Sequence, residues 1–375
     1  MTEVQQADAT ARRHEPRGRL FFLDSLRGVA ALYVIFYHSL LVPQPHPPLT
    51  NYLMLKFASF GGTGVYLFFV ISGFSLHMTM QRHERTGLMV LSYSVSRLFR
   101  IAPLFYVILA YYIVRDNWYL SQPLYLRPVA YNLTFLFNLI PGKQEGIVWA
   151  SWTIGVEMIF YALFIPLYRS KFRTQLLWFS VSIVTTMIMH LTLPADYVLF
   201  SVVGYMPLFI IGMWAYPAYR RLLARPNHAP LAPVLIGAGA AVLIVCALAG
   251  EVGSIWERVP IGLAYASILI GAGLGDGDTL IGRIFRFFGL ISYSAYLLHP
   301  VVIYALHRAI DWSIGSLPGD LRYYATLTMV TIVTTAFAYL TYRLVERPGV
   351  RWGDVAFRQL TSRVRSRTNA APEHE

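Results

Sequence analysis

The 375-residue chain is 56% apolar and only 13% charged, where an ordinary soluble domain carries about 25% charged residues. This balance excludes intrinsic disorder, which needs low hydrophobicity, and argues against a soluble two-domain enzyme, which must wet a large surface. The net charge of +12 does not point to nucleic acid, because the 28 Arg and three Lys fall in short clusters that abut long apolar runs.

Residues 1–19 form a polar arm with Arg12, Arg13, Arg17 and Arg19. The first apolar run, 20–42, is long enough to cross a bilayer, which takes about 20 residues. It lacks the short apolar region and small-residue cleavage site of a signal peptide, so a retained helix is expected. Further spans are expected at 58–80, 99–114, 148–168, 174–193, 197–216, 231–250, 259–274, 287–307 and 323–343, which makes ten. The stretch 129–140 is too short to span upright and is followed by Pro141-Gly142.

Charge decides whether that stretch counts as a span. With ten spans and a cytoplasmic N-terminus, 23 basic residues face the cytoplasm and seven face outward; an eleventh span would leave 12 inside against 18 outside. The expectation is therefore an all-α, polytopic integral membrane protein of about ten transmembrane helices, with both termini cytoplasmic. Segment 115–147 then lies outside. Its Trp118, Tyr119, Tyr125 and Tyr131 read either as an aromatic belt at the headgroups or as a lid or stacking surface for a sugar. Cys246 stands alone, without a disulfide framework or a cysteine metal site. The last ten or so residues read as a disordered tail.

Charge inside a span is costly and calls for an explanation, structural or functional. The first span holds Asp24, Arg27 and His38. Arg27 and His38 are 11 residues apart, which places them on one helix face about 16.5 Å apart along the axis. Asp24 and Arg27 are i,i+3 neighbours able to pair; Asp24 also suits the helix N-terminus, and Arg27 suits snorkelling to the headgroups. Glu157 lies near the middle of 148–168, about 13 Å from its outer end and close to the depth of His38. A carboxylate there must be paired, protonated or facing a wet cavity.

Gly61, Gly62 and Gly64 allow either close helix packing or an irregular turn at a cavity. They are not a phosphate loop, because no Gly-Lys-Ser/Thr follows. Arg97 and Arg100 share a helix face at the membrane surface, a spacing that clamps phosphate or meets lipid headgroups. In the ninth span Tyr293, Tyr296 and His299 recur every three residues as a semi-polar stripe, or as a hydrogen-bonded packing seam. Arg343, Glu346 and Arg347 close the tenth span as an ionic cluster.

Taken in order, these segments resemble the acyltransferase-3 family of integral-membrane enzymes, which O-acylate bacterial surface polysaccharides and some small molecules. Leu23-Asp24-Ser25-Leu26-Arg27-Gly28 with His38 looks like the opening Arg-x10-His signature. The run from Gly64 to Phe74, which includes Ser72, resembles the second-helix motif, and Arg97-Leu98-Phe99-Arg100 matches the Arg-x-x-Arg element. Trp152-Thr153-Ile154 with Glu157, Phe160 and Tyr161 resembles a further segment, with Thr153 and Ile154 in place of the usual Ser and Leu. The Ser292 to His299 run and Val345-Glu346-Arg347-Pro348 resemble the closing motifs. The likeness covers about residues 20–348.

The resemblance implies a membrane acyltransferase domain at 20–348, between the basic arm 1–19 and a cytoplasmic, partly disordered basic tail at 349–375, without a fused hydrolase-like domain. It implies an acyl-CoA donor, with acetyl-CoA expected, and no metal. Arg97 and Arg100 would meet the donor's phosphates, and Arg27 would guide its acyl arm. His38 would act as general base or transient acyl carrier, with Glu157 orienting it or favouring its protonated form. Tyr293, His299 and Ser72 would line the substrate route. The implied acceptor is a hydroxyl of a cell-surface glycan or its lipid-linked precursor at the bacterial inner membrane, with an extracytoplasmic transfer partner as a further option. A small hydroxylated metabolite is the alternative acceptor. A proton-coupled transporter is the competing class, since a buried Arg, His and Glu also suit a proton relay.

Overall fold

The computed structural model describes residues 20–43, 49–121, 125–249, 254–275 and 280–369; the arm 1–19 and most of the proline-rich stretch after His38 lie outside them. Among the described residues every regular element is helical. In hydrocarbon each backbone N–H and C=O must find its partner within the segment, and a helix does this alone.

Helix α1 (Phe21–Leu41) is followed by α2 (Tyr52–Ser59), which passes through a tight turn (Phe60–Thr63) into α3 (Gly64–Glu84). Helix α4 (Met89–Val114), the short α5 (Leu126–Leu133) and a second tight turn (Leu136–Leu139) precede α6 (Trp152–Arg169). Then come α7 (Phe172–Thr192), α8 (Ala195–Leu199), α9 (Val202–Leu223), α10 (Leu231–Ala249) and α11 (Arg258–Leu274). The chain closes with α12 (Leu280–Leu290), α13 (Ser292–Ile314), α14 (Gly319–Thr341) and α15 (Arg347–Asn369).

Among the described residues, seven helical segments are long and apolar enough to cross a membrane, or eight if α12 and α13, bent by 73°, count as one span. The protein is a polytopic membrane protein. Helices α1 and α6, which carry Asp24, Arg27, His38 and Glu157, are not among the seven; they have the length (21 and 18 residues) but also these polar side chains. The segment containing α9 is 78% buried, whereas α7 and α10 are each 11% buried. Helix α9 is thus the hub, and α7 and α10 form a rim that faces lipid.

Four boundaries differ from the hydropathy reading. The run at 287–307 is two helices broken at Ile291, where the Ser292 hydroxyl donates back to the Gly289 carbonyl at 2.9 Å. The run at 197–216 breaks before α9, because Ser201 caps that helix by accepting from the Val203 N–H at 3.2 Å. Helix α4 starts at Met89, ten residues before its apolar run. That stretch is amphipathic, with Ser92 and Tyr93 buried and Val90 and Ser94 exposed, and an average over a window does not register such a face. The chain is helical through Asn369, while the end of the expected disordered tail, 370–375, lies outside the described residues; α15 docks on α4, where a methyl on Gly353 would lie 2.7 Å from the Phe99 Cβ.

Helix α1 runs between α3, α12, α13 and α14. It meets α12 backbone to backbone, since a methyl on Gly28 would lie 2.8 Å from the Gly289 nitrogen. Small residues at membrane helix crossings permit such approach. The Gly61 region likewise packs against α1, beside Tyr33.

Candidate active site

Because α1 is gripped along its length, its two polar ends sit in fixed surroundings. At the N-terminal end, Arg27 is held from both sides. Its Nη1 lies 3.6 Å from Asp24 Oδ1, and its Nη2 donates to Ser75 Oγ at 3.0 Å. Asp24, 3% exposed, therefore serves as a buried ion-pair partner. Arg27 joins Arg97 and Arg100 of α4, Arg82 and Arg85 at the end of α3, and Arg220 of α9 around a vestibule of about 860 Å³. Six guanidinium groups, offset by only Asp24 and Glu346 on the same wall, make a strong anion site.

The vestibule narrows to a throat of about 80 Å³ that shares Arg27, Arg97 and Arg100 with it. Phe68, Phe69, Val65 and Ile101 give the throat apolar walls. Ser72, Glu157 and Tyr161 give it one polar wall, joined by hydrogen bonds: the Ser72 hydroxyl donates to Glu157 Oε1 at 2.8 Å, and the Tyr161 hydroxyl donates to the same oxygen. The Arg97 guanidinium lies over the Tyr161 ring at 5.9 Å. Tyr293, also on the throat, donates to the Ile101 carbonyl at 2.7 Å and so pins α13 to α4.

At the other end of α1, His38 Nδ1 lies 2.7 Å from His299 Nε2, and the two rings stack at 16°. Their tautomers follow from the next partner. His299 Nδ1 faces the Ala295 carbonyl at 3.2 Å, and a carbonyl only accepts. In the neutral pair the His299 proton therefore sits on Nδ1, and its Nε2 accepts from His38 Nδ1–H. This leaves the lone pair of His38 on Nε2, on a ring that is half-buried while His299 is fully enclosed. The Trp149 ring packs edge-on against His38 at 4.7 Å. Tyr296 joins the two regions, since it lines the throat and lies 5.6 Å from the His299 ring.

A family described as an acyltransferase domain matches residues 20–343, which hold every side chain just described except Glu346. The chain belongs to the acyltransferase-3 family. No curated protein and no solved structure matches it.

In this acyltransferase the expected residues sort into two groups. Arg27, Arg97, Arg100, Ser72, Glu157 and Tyr293 share the vestibule and throat; His38 and His299 form the imidazole pair. Glu157 is not hydrogen-bonded to His38, as its position suggested: its hydrogen bonds go to Ser72 and Tyr161, and the side-chain partner of His38 is His299. Thr153, the departure from the usual Ser, keeps a hydroxyl, which donates to Tyr296 Oη at 3.0 Å. In the sequence, Arg82, Arg85 and Arg220 are among the basic residues that set topology, and Trp149 carries no signal of its own. Tyr161 had a signal in its i,i+4 spacing from Glu157.

Proposed function

We propose that this acyltransferase moves an acyl group, with acetyl expected, from cytoplasmic acyl-CoA to a hydroxyl of a cell-surface glycan or its lipid-linked precursor. One observation carries the reading above the rest: the imidazole pair leaves His38 Nε2 unprotonated, one tyrosine away from a throat that opens on six guanidinium groups.

The donor's chemistry matches this shape. Coenzyme A has a bulky, polyanionic nucleotide and a slender arm. The wide basic vestibule suits the first, where Arg97 and Arg100 clamp phosphate. The narrow throat suits the second, where the Ser72, Tyr161 and Glu157 wall offers partners to the amides of the arm. With α1 and α6 counted as spans, the topology has ten, both termini are cytoplasmic, and the vestibule opens to the acyl-CoA pool.

His38 Nε2 then takes the proton of the acceptor hydroxyl as its oxygen attacks the thioester carbonyl. The tetrahedral intermediate collapses, the carbon–sulfur bond breaks, and the thiolate recovers that proton from His38. The products are an ester and free coenzyme A.

The test compares ester content of the surface glycan, by mass spectrometry, in cells with and without the gene, alongside labelled-acetyl transfer by the purified protein in nanodiscs. Loss of the glycan ester, together with consumption of acetyl-CoA by the wild type only, is the expected result. An unchanged glycan, or solute uptake into vesicles without thioester consumption, overturns the reading.

A further inference from the structure

A second cavity, of about 570 Å³, lies among α5, the turn at 142–147 and α8, beside the start of α6. Acyl transfer as derived above does not use it. Its walls carry the rings of Tyr125, Tyr131 and Tyr197, the carboxylates of Glu145 and Asp196, and the Gln144 amide.

These walls are braced by enclosed polar side chains. Asn132, 2% exposed, accepts from the Ile147 N–H at 3.0 Å and donates to the Pro128 carbonyl at 2.9 Å, which ties α5 to the turn. Asn138, 5% exposed, donates to the Phe200 carbonyl at 2.6 Å and accepts from the Val202 N–H at 3.2 Å, which ties the floor to the junction of α8 and α9. Fully enclosed Ser151 donates to the Glu145 carbonyl at 3.3 Å. Gly142, at φ +71°, lets the turn pass beneath Tyr197: a methyl there would lie 3.6 Å from the tyrosine hydroxyl. The cavity is thus shaped before any ligand arrives, which lowers the ordering cost of binding.

Flat rings beside hydrogen-bond acceptors suit one kind of molecule. A ring face covers the C–H face of a pyranose while carboxylate and amide oxygens accept from its hydroxyls. The charge on the wall disfavours an anion: Glu145 and Asp196 are balanced by Lys143 alone, since Asp116 is already paired with Arg115 at 2.6 Å. The cavity also adjoins the reacting region. Two residues beyond Ile147 on its wall, Trp149 packs against His38.

We propose that this cavity is a subsite for a neutral pyranose unit of the acyl acceptor, which holds the glycan so that a neighbouring unit reaches His38. The proposal rests on the acyl-transfer reading for the identity of its ligand as the acceptor, but its test needs no acyl transfer.

Full-length protein in lipid nanodiscs, without acyl-CoA, is titrated with the methyl glycosides of glucose, galactose, mannose and N-acetylglucosamine by saturation-transfer NMR. At least one should bind. Tyr197→Ala and the exposed-site variant Asp196→Asn should each weaken it at least tenfold, whereas His38→Ala should bind it as the wild type does. Failure of all four glycosides to bind overturns the subsite and leaves acyl transfer standing. Unchanged binding in both cavity variants, or tetramethylammonium held in place of the sugars, overturns it too. Loss of acyl transfer alongside intact, variant-sensitive binding would instead count against the reaction and support the subsite.

Discussion

Around Arg27, six guanidinium groups share a vestibule of about 860 Å³, whereas around His38, eleven residues along the same helix, two imidazoles pair beside Trp149 and Tyr37. The first region spreads one property, positive charge, over four helices. The second concentrates one property, a correctly placed lone pair, on one nitrogen. Spread charge tolerates the loss of a member, because the others still attract the anion. A single nitrogen has no substitute. Binding at the first end should therefore degrade by steps, and chemistry at the second should fail at once.

Five variants would break or sharpen that contrast. His38→Ala should have the largest effect, lowering kcat by about 10²–10⁴-fold, the usual range for a lost general base. Its KM for acyl-CoA should stay near the wild-type value in steady-state assays; a comparable rise in KM would mean that the two regions are not separate. Next, His299→Leu should lower kcat by about 10–100-fold, the equivalent of one hydrogen bond to a charged group at about 1.5–3 kcal/mol, since His38 is cationic while it holds the acceptor's proton. His299→Gln should lose less, since its amide oxygen can still accept from His38 Nδ1–H. Equal losses in the two variants would remove the tautomer argument.

The double variant Arg97→Ala/Arg100→Ala should act on the other axis, raising KM for acyl-CoA about tenfold through lost charge-assisted hydrogen bonds while kcat changes little. Added salt should raise the wild-type KM as well, because screening weakens attraction at an open site. The smallest effect belongs to Arg85→Ala. This side chain is exposed at the vestibule rim, where one charge contributes up to about 1 kcal/mol, or roughly fivefold in KM. A loss at Arg85 as large as that of the double variant would show that the charge is not shared.

Much of the scaffold was legible because a bilayer demands long apolar runs, and α1, α7, α10 and α11 begin and end within a few residues of theirs. The break at Ile291 was not, since the apolar run resumes on both sides of Ser292-Tyr293-Ser294 and hydropathy carries no information on backbone direction. The start of α4 was hidden for the opposite reason, its first turns being too polar to register as a span. Of the site, Arg27, His38, Arg97, Arg100 and Glu157 stood out because each is expensive near or within hydrocarbon. Their pairing was not legible. His38 and Glu157 have similar depths, and only the rotation of α6 decides that Glu157 faces Ser72 while α13 supplies His299. The basic residues at 82, 85 and 220 read as orientation signals, and that they converge on one cavity is visible only once α3, α4 and α9 are packed.

The 73° bend between α12 and α13 has a consequence for how the site keeps its dimensions. Before the bend the chain grips α1 at Gly28, one residue from Arg27; after it, the chain meets α1 again at His38. The two helices act as the jaws of a caliper closed on a rigid rod, and the rod sets the interval between the basic vestibule and the imidazole pair. One residue added to α1 between Arg27 and His38 would turn the imidazole by about 100° and advance it by about 1.5 Å, out of reach of a jaw that cannot follow. The spacing within this helix is a length standard for the reaction, and natural variation should alter the side chains around it before it alters the count.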